Sequence, residues 1–202
     1  MPIKLDIPFN EKEEVKKQGA WWLSKEKTWF IPDPITDLQP FAKWLPKEEG
    51  FIVRRPYFVA RSEKRCWKCY EDTPLIAPGA KSFYALGYPS PAEIEWTKYD
   101  YPILFLEVDL LAAEVIDLFK KEYPFYRYTY SNTAKRKYWA NTCVHCQALQ
   151  GDNFNFSGFN APFAPATKTD ARLIKIEYLQ LKYDYYIKAG FSQDVMYQWM
   201  FE

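Results

Sequence analysis

The four cysteines of this chain fall in two pairs of identical spacing, and the chain has no other cysteine. The pairs are Cys66 and Cys69, then Cys143 and Cys146. The turn within a C-x-x-C segment presents both sulfurs to one ion, and two such segments supply the four thiolates of a tetrahedral zinc site. The spacing therefore predicts that the two pairs bind one zinc ion. Because four thiolates fill the coordination shell, no position remains for a catalytic water, and we expect the zinc to be structural.

Few other residues have types and spacing that could support catalysis. The only histidine, His145, lies inside the second cysteine pair, which disfavours catalysis by a Ser–His or Cys–His pair. The seven glycines are scattered and form no phosphate-binding loop. Glu107 and Asp109 end an expected strand and could bind Mg²⁺ as in metal-dependent nucleases, but Asp109 is better placed to cap a helix. The sequence thus favours a protein that is not an enzyme.

Basic and aromatic residues concentrate directly before each cysteine pair. Residues 51–70 have a net charge of +5 and residues 125–146 a net charge of +4, whereas residues 91–124 have a net charge of −5. Cations that neutralise phosphates, beside rings that stack on bases, are typical of proteins that bind single-stranded nucleic acid. We expect the zinc to bring the two basic stretches to one side of the molecule. The candidate nucleic-acid-binding residues are Arg54, Arg55, Arg61, Arg65, Trp67, Lys68, Arg127, Lys135, Arg136, Lys137 and Tyr138.

The composition leaves a second interpretation of this surface open. The chain has a net charge of only +1, which gives no long-range attraction to nucleic acid or to a membrane. Its aromatic content of 19% is also what a core of large side chains requires, so the same face could bind a partner protein instead. No apolar run approaches the roughly 20 residues that cross a bilayer, and the start of the chain lacks the order of a signal peptide. We therefore expect a cytoplasmic protein with reduced cysteines and no membrane partner.

The elements that must position these residues fall into two expected domains. Residues 1–48 predict a small domain with the order strand, helix, strand, helix. The alternating segment 3–7 and the segment 27–31 predict its strands, and Gly19 is expected to end the first helix. The dipeptide at 33–34 is expected to open the last helix, which would run through Trp44.

The first domain carries the segments LDIPF at 5–9, GAWW at 19–22 and KTWFIP at 27–32. Together they resemble a small domain of unknown function that occurs in TraC-type conjugation primases and in other DNA-processing proteins of mobile elements. The resemblance covers about the first quarter of the chain. It departs at Trp21 and Leu23, where a basic and an acidic residue are expected. The resemblance implies a setting in DNA processing and does not itself imply an activity.

Residues 49–202 predict a zinc-ribbon-like domain with a long α/β insertion between the cysteine pairs, and this remainder resembles a zinc-ribbon-containing bacterial protein. In the insertion, Pro78 and Gly79 are expected to turn one strand into the next. Residues 103–108 predict a buried strand, and Asp109 is expected to cap a helix over 110–121. The alternating segment 126–130 predicts a strand that leads towards the second cysteine pair.

The chain as a whole is therefore expected to be α+β, with a βαβα domain followed by the zinc-ribbon-like domain. Its expected function is zinc-stabilised binding of nucleic acid, as an accessory in mobile-element or conjugative DNA processing. The alternative is a protein–protein interaction module that binds no nucleic acid. A Mg²⁺-dependent nuclease that uses Glu107 and Asp109 is the third interpretation.

Overall fold

The computed structural model describes the backbone of residues 3–90, 93–158 and 160–202. Side chains are described over the same ranges except at 88–90 and 93–94. Met1 and Pro2, with which the expected first domain begins, lie outside the described residues.

The first part of the chain forms a small antiparallel sheet beside one short helix. Its strands, in the spatial order β1-β3-β2, are β1 (Ile3–Leu5), β2 (Trp21–Leu23) and β3 (Thr28–Ile31). Helix α1 (Lys12–Lys17) connects β1 to β2 and ends before Gly19, whose φ of +95° lies in the left-handed region that favours glycine. The expected βαβα order is wrong for two reasons. Residues 21–23 form a second strand after the helix, and only a 3₁₀ helix, Gln39–Trp44, follows β3.

Nine further strands of the described residues form a large antiparallel sheet. They are β4 (Phe51–Arg65), β5 (Asp72–Ser90), β6 (Glu93–Tyr99), β7 (Ile103–Leu111), β8 (Tyr126–Ser131), β9 (Arg136–Thr142), β10 (Leu149–Gln150), β11 (Lys175–Leu179) and β12 (Tyr185–Ser192). Their order is β10-β9-β7-β12-β4-β5-β6, with β8 paired to β9 and β11 paired to β4. Strand β5 also pairs with β7, so the pairings β4–β5–β7–β12 close into a ring.

The helices of this part are short. They are α2 (Ala113–Glu122), α3 (Asp152–Phe156) and α4 (Lys168–Leu173), and a 3₁₀ helix, Val195–Phe201, lies near the end of the chain. Strands hold 44% of the described residues and helices 22%, so the fold is mostly β and the expected α+β class is wrong. The expected α/β insertion is likewise dominated by strands, with α2 as its one helix among the described residues.

Two elements of the insertion differ from expectation because pairing overrides local signals. Pro78 and Gly79 make no turn and lie inside the continuous strand β5. A Cβ at Gly79 would lie 2.3 Å from the ring of Phe58, so this glycine permits the close approach of a ring. Asp109 does not cap a helix, because β7 continues through Leu111, which pairs with Ile187 of β12, and α2 begins only at Ala113.

The small sheet packs directly on the large one. Buried side chains of its core, such as Phe41 and Trp44, share one hydrophobic cluster with Ile52, Tyr84 and Trp96 of the large sheet. The boundary between the two expected domains, at residue 48, stays a prediction. Among the described residues, no helix has the length and apolar content needed to cross a membrane.

Candidate metal centre

Two loops at the ends of paired strands bring the four cysteines together. The first pair lies in the loop between β4 and β5, and the second lies in the loop between β9 and β10. All four Sγ atoms lie within 4.8 Å of one another. The distance is 3.7 Å between Cys66 and Cys146 and 3.6 Å between Cys69 and Cys143. In the part of the chain that is described, this is the one such group of three or more Cys, His, Asp or Glu side chains. The four cysteines could therefore hold one metal ion.

The two loops have the same backbone conformation. In each loop, the carbonyl of the first cysteine accepts a hydrogen bond from the N–H four residues later, and its N–H donates to the carbonyl five residues later, at 2.9 to 3.0 Å. The residues four positions after the first cysteine, Tyr70 and Gln147, have φ angles of +65° and +60°. The Lys68 N–H lies 3.4 Å from the Cys66 sulfur and donates to it. Two remote segments thus present their sulfurs in equivalent ways.

Side chains from each loop also bind the backbone that follows the other loop. The Trp67 Nε1–H donates to the Leu149 carbonyl at 2.8 Å. His145 Nε2, when protonated, donates to the Asp72 carbonyl at 3.1 Å. His145 therefore supports the loops from outside the group of four sulfurs. These reciprocal bonds hold the two loops at the separation that brings the sulfurs together.

Buried amide side chains connect the strands behind the cysteines. The Asn141 side chain accepts from the Ile76 N–H and donates to the Ile76 carbonyl, both at 2.9 Å, and so joins β9 to β5. The Gln150 Nε2 donates to the Cys66 sulfur at 3.3 Å. Sequence reasoning did not find these two residues. Their only sequence signal is their proximity to the second cysteine pair, because a buried amide looks like any surface amide until its partners are known.

The thiols of the first cysteine pair have opposite pKa shifts. Burial disfavours the Cys66 thiolate, but the N–H groups of Cys69 and Lys68 and the neighbouring thiols outweigh burial and lower the Cys66 pKa to about 6. The N–H of Glu71 favours the Cys69 thiolate, yet burial and the other three cysteines raise the Cys69 pKa to about 12. The Cys66 thiol therefore ionises easily. The Cys69 thiol resists ionisation, because a second thiolate would add negative charge beside the other cysteines. A bound cation is what would let all four be thiolates together.

Three of the expected nucleic-acid-binding residues, Arg65, Trp67 and Lys68, are exposed around the first loop. Tyr70, which is not in the expected set, is exposed beside them, with Trp67 at 63% and Tyr70 at 67%. The Arg65 Nε–H donates to the Tyr70 carbonyl at 2.8 Å, and this bond orients the guanidinium of Arg65. These residues form a continuous run that flanks both cysteines of the first pair. We call them the first-loop surface.

A second exposed group lies on the hairpin of β8 and β9. Lys135, Lys137 and Arg127 are exposed, and Tyr130 pairs directly with Lys137 across the two strands. Lys137 precedes Cys143 by six residues on an extended strand, a distance of about 20 Å. The two basic stretches therefore do not meet at the cysteines, because the charged end of β9 points away from them.

The remaining arginines of the set are engaged in ion pairs. Arg55 is exposed and lies 3.2 Å from Asp33, and Arg61 is exposed and lies 2.7 Å from Glu177. Arg136 is half-buried and bonds to Glu107. Each pair reduces the positive charge that the arginine offers to a ligand.

Two members of the expected set have little exposed side-chain surface to offer a nucleic acid. The Arg54 side chain is only 13% exposed, and its Nε lies 2.6 Å from the carboxylate of Asp184. Tyr138 is 2% exposed, because its side chain faces inwards from β9. Arg54 is thus engaged with Asp184, and Tyr138 is withdrawn from solvent.

The two carboxylates of the nuclease interpretation already have a cationic neighbour. The Arg136 guanidinium lies 2.6 Å from Glu107 and 4.0 Å from Asp109. Among the described residues, no third His, Cys or carboxylate side chain completes a group with them that could hold a metal ion. This geometry gives the nuclease interpretation no support.

Comparison with known proteins finds matches for one part of the chain, its first quarter. Residues 3–46 match a family described as Domain of unknown function (DUF5710). Two proteins named DNA primase TraC, both from Escherichia coli, are 50% and 45% identical to this chain over 40 residues. Each alignment covers 20% of this chain and only 4% or 3% of the relative, so the chain matches a small fraction of their length. No solved structure matches the chain. The expected resemblance of the first part to the small domain of TraC-type primases is confirmed.

Proposed function

We propose that this chain is a zinc-stabilised nucleic-acid-binding protein. The first-loop surface is the observation that carries the proposal. It combines two cations, Arg65 and Lys68, with two exposed rings, Trp67 and Tyr70, around one cysteine pair. Cations neutralise phosphates and rings stack on bases, and single-stranded nucleic acids are bound by this combination. The metal would keep the loop in one shape, so that these side chains are ordered before the ligand arrives.

Zinc is the ion that the four cysteines fit best. Four thiolates at the usual Zn–S distance of about 2.3 Å form a tetrahedron whose edges are about 3.8 Å. The observed separations of 3.6 and 3.7 Å between sulfurs agree with these edges. A four-thiolate shell is closed, which assigns the zinc a structural role. Reduced cysteines that bind metal also suit the cytoplasm better than an oxidising compartment.

The exposed hairpin of β8 and β9 would extend the binding surface. Tyr128 and Tyr130 are each 49% exposed, and Lys137 lies opposite Tyr130. A DNA-processing role is supported by the matched relatives, which are named DNA primase TraC. An accessory role in mobile-element or conjugative DNA processing is the form of this function that we propose.

Titration of a fluorescent single-stranded oligonucleotide with the full chain tests the proposal. We expect binding at low salt that weakens as salt rises, because phosphate contacts release counterions. Lys68→Glu should lower the slope of log affinity against log salt by about 0.7 or more, the share of one phosphate contact on a single strand. Tyr70→Asn should weaken binding by about 1–3 kcal/mol through lost stacking, and asparagine tolerates the positive φ of this position.

Lys120→Glu on α2 is the matched control, since Lys120 is exposed and belongs to neither basic group. The control should bind like the unmodified chain. Absence of binding at low salt would overturn the proposal. So would equal losses in Lys68→Glu and in Lys120→Glu, because that result would mean non-specific attraction. Binding of a partner protein at the same rings, insensitive to salt, would favour the alternative of an interaction module.

A further inference from the structure

We propose that a groove in the small N-terminal sheet is a second binding site for single-stranded nucleic acid, separate from the first-loop surface. The groove lies between α1 and the strands β2 and β3, and has a volume of about 740 Å³. This volume falls in the range of about 300–1,000 Å³ that is usual for ligand sites. None of its lining residues belongs to the set predicted from the sequence to bind nucleic acid. The inference shares its ligand class with the proposed function but rests on different residues.

Exposed rings line this groove. Phe9 is 81% exposed, Trp21 is 66% exposed and Trp22 is 48% exposed, and all three line the same groove. The ring of Trp22 packs against the ring of the half-buried Trp29, with 5.6 Å between the two ring centroids. Strand β2 is at the edge of its sheet, so Trp21 and Trp22 project from an edge with no further strand beside it among the described residues. Such a group of exposed rings marks a binding surface.

Three lysines line the same groove and indicate the charge of its ligand. The Nζ of Lys12 lies 4.2 Å from the centroid of the Phe9 ring, which places a cation beside one of the exposed rings. Lys16 and Lys27 make no ion pair with the described residues. Asp6 and Glu13 also line the groove, so its side chains have a net charge of +1. The groove thus offers cations that are available to an anion.

The combination of flat rings with lysines that have no ion-pair partner among the described residues matches a nucleic acid strand better than it matches an apolar peptide. A single strand alternates anionic phosphates with bases, and every base has a face that stacks on an aromatic ring. An apolar segment would cover the rings but would remove the ammonium groups of Lys16 and Lys27 from water without supplying a counter-charge, which is costly. We therefore assign the groove to a short run of nucleotides, with bases against the tryptophans and phosphates near the lysines.

The test measures binding of a fluorescent ten-residue oligo-dT to the full chain, with variants in the groove. Trp21→Ala should weaken binding by about fivefold or more, the loss expected for one stacked base. Lys16→Glu should weaken binding and lower the salt slope by about 0.7 or more, as expected for one lost phosphate contact. Both side chains are exposed, so the variants should keep the melting temperature of the unmodified chain. Ultraviolet crosslinking followed by peptide mapping should place the oligonucleotide on the peptide that contains Trp21 and Trp22.

Two matched controls remove a ring or a charge elsewhere. Phe154→Ala deletes a ring that is 66% exposed on α3, and Lys120→Glu reverses an exposed charge on α2. Both controls should bind within twofold of the unmodified chain. Equal losses in Trp21→Ala and Phe154→Ala would overturn the inference, as would crosslinks that are confined to other peptides.

The outcome also separates the groove from the first-loop surface. If oligonucleotide binding weakens in Lys68→Glu and Tyr70→Asn but not in Trp21→Ala and Lys16→Glu, the groove is not a binding site. The proposed function would still hold in that case. The reverse pattern would establish the groove and overturn the first-loop surface. Losses in both sets would support two sites. A chain that binds an apolar or acidic peptide through the groove, and no oligonucleotide, would overturn both.

Discussion

Two neighbouring arginines on β4 have opposite roles although the sequence gives them the same description. Arg54 is 13% exposed and pairs with the fully buried carboxylate of Asp184, which also accepts a hydrogen bond from Tyr57 at 2.5 Å. Arg55 is 54% exposed and pairs with Asp33, which is itself 45% exposed. Local sequence cannot separate the two, because the difference depends on a residue that lies about 130 positions further along the chain.

Arg54→Met should lower the free energy of unfolding by about 3 kcal/mol, because it leaves the buried Asp184 without its cation. Arg55→Met should lower it by less than about 1 kcal/mol, because surface ion pairs contribute little. Urea denaturation of the two variants measures the difference. Similar losses in both would contradict the assignment of Arg54 to the interior.

Burial raises the pKa of Asp152 to about 7, although the N–H of Glu107 and the side chain of Asn155 favour its charged form. An aspartate in the unfolded chain titrates near 3.9, so the folded state binds the proton more tightly. The resulting contribution to stability is complete below about pH 4 and is lost as the pH rises through about 7.

Asp152→Asn should therefore flatten the fall in stability between about pH 4 and pH 7 and should raise stability at pH 8 by on the order of 1–3 kcal/mol. The amide oxygen can still accept from the Glu107 N–H, which lies 2.6 Å from the Asp152 carboxylate. Asp117→Asn, an exposed change on α2, is the control and should leave the slope unchanged. An unaltered pH slope in Asp152→Asn would contradict this account.

Among the elements, those that depend on local signals alone were predicted best. Strand β8 covers the alternating segment 126–130, and Gly19 ends the first helix as expected. The failures are elements that tertiary pairing defines. Strand β5 runs through Pro78 and Gly79 because β4 pairs with it over residues 72–85, and β2 forms because Trp22 pairs with Trp29. The partners of Pro78 and Gly79 lie 19 and 21 residues away and are not visible in a window of ten residues, whereas the missed pairing of β2 with β3 is local.

The link between β5 and β9 should depend strongly on one amide. Asn141→Ala removes both bonds to the Ile76 backbone and leaves a buried N–H and carbonyl without partners, so we expect a loss of about 1–3 kcal/mol. Asn132→Ala, in the exposed turn between β8 and β9, should change stability by less than about 0.5 kcal/mol. Urea denaturation with zinc present measures both, and equal effects would rule out a special role for Asn141.

Over the whole molecule, the sequence identified the four cysteines but not the architecture that carries them. Cysteine spacing is local within each pair, and the absence of other cysteines leaves little choice of partner. The closed ring of β4, β5, β7 and β12 could not be predicted, because it needs pairings between residues up to 136 positions apart, such as Ile187 and Phe51. The two loops are equivalent ends of strand pairs in this sheet, and their sulfurs meet although residues 70–142 lie between the pairs.

Metal analysis of the purified full chain, combined with titration of its thiols, tests whether the four cysteines bind zinc. We expect one zinc ion per chain and four thiols that become reactive only after zinc is removed by a chelator or by unfolding. Cys69→Ser should lower the zinc content and the melting temperature, whereas Ser24→Ala, an exposed change in the small sheet's turn, should alter neither. A folded chain that contains no zinc and has four freely reactive thiols would contradict this expectation.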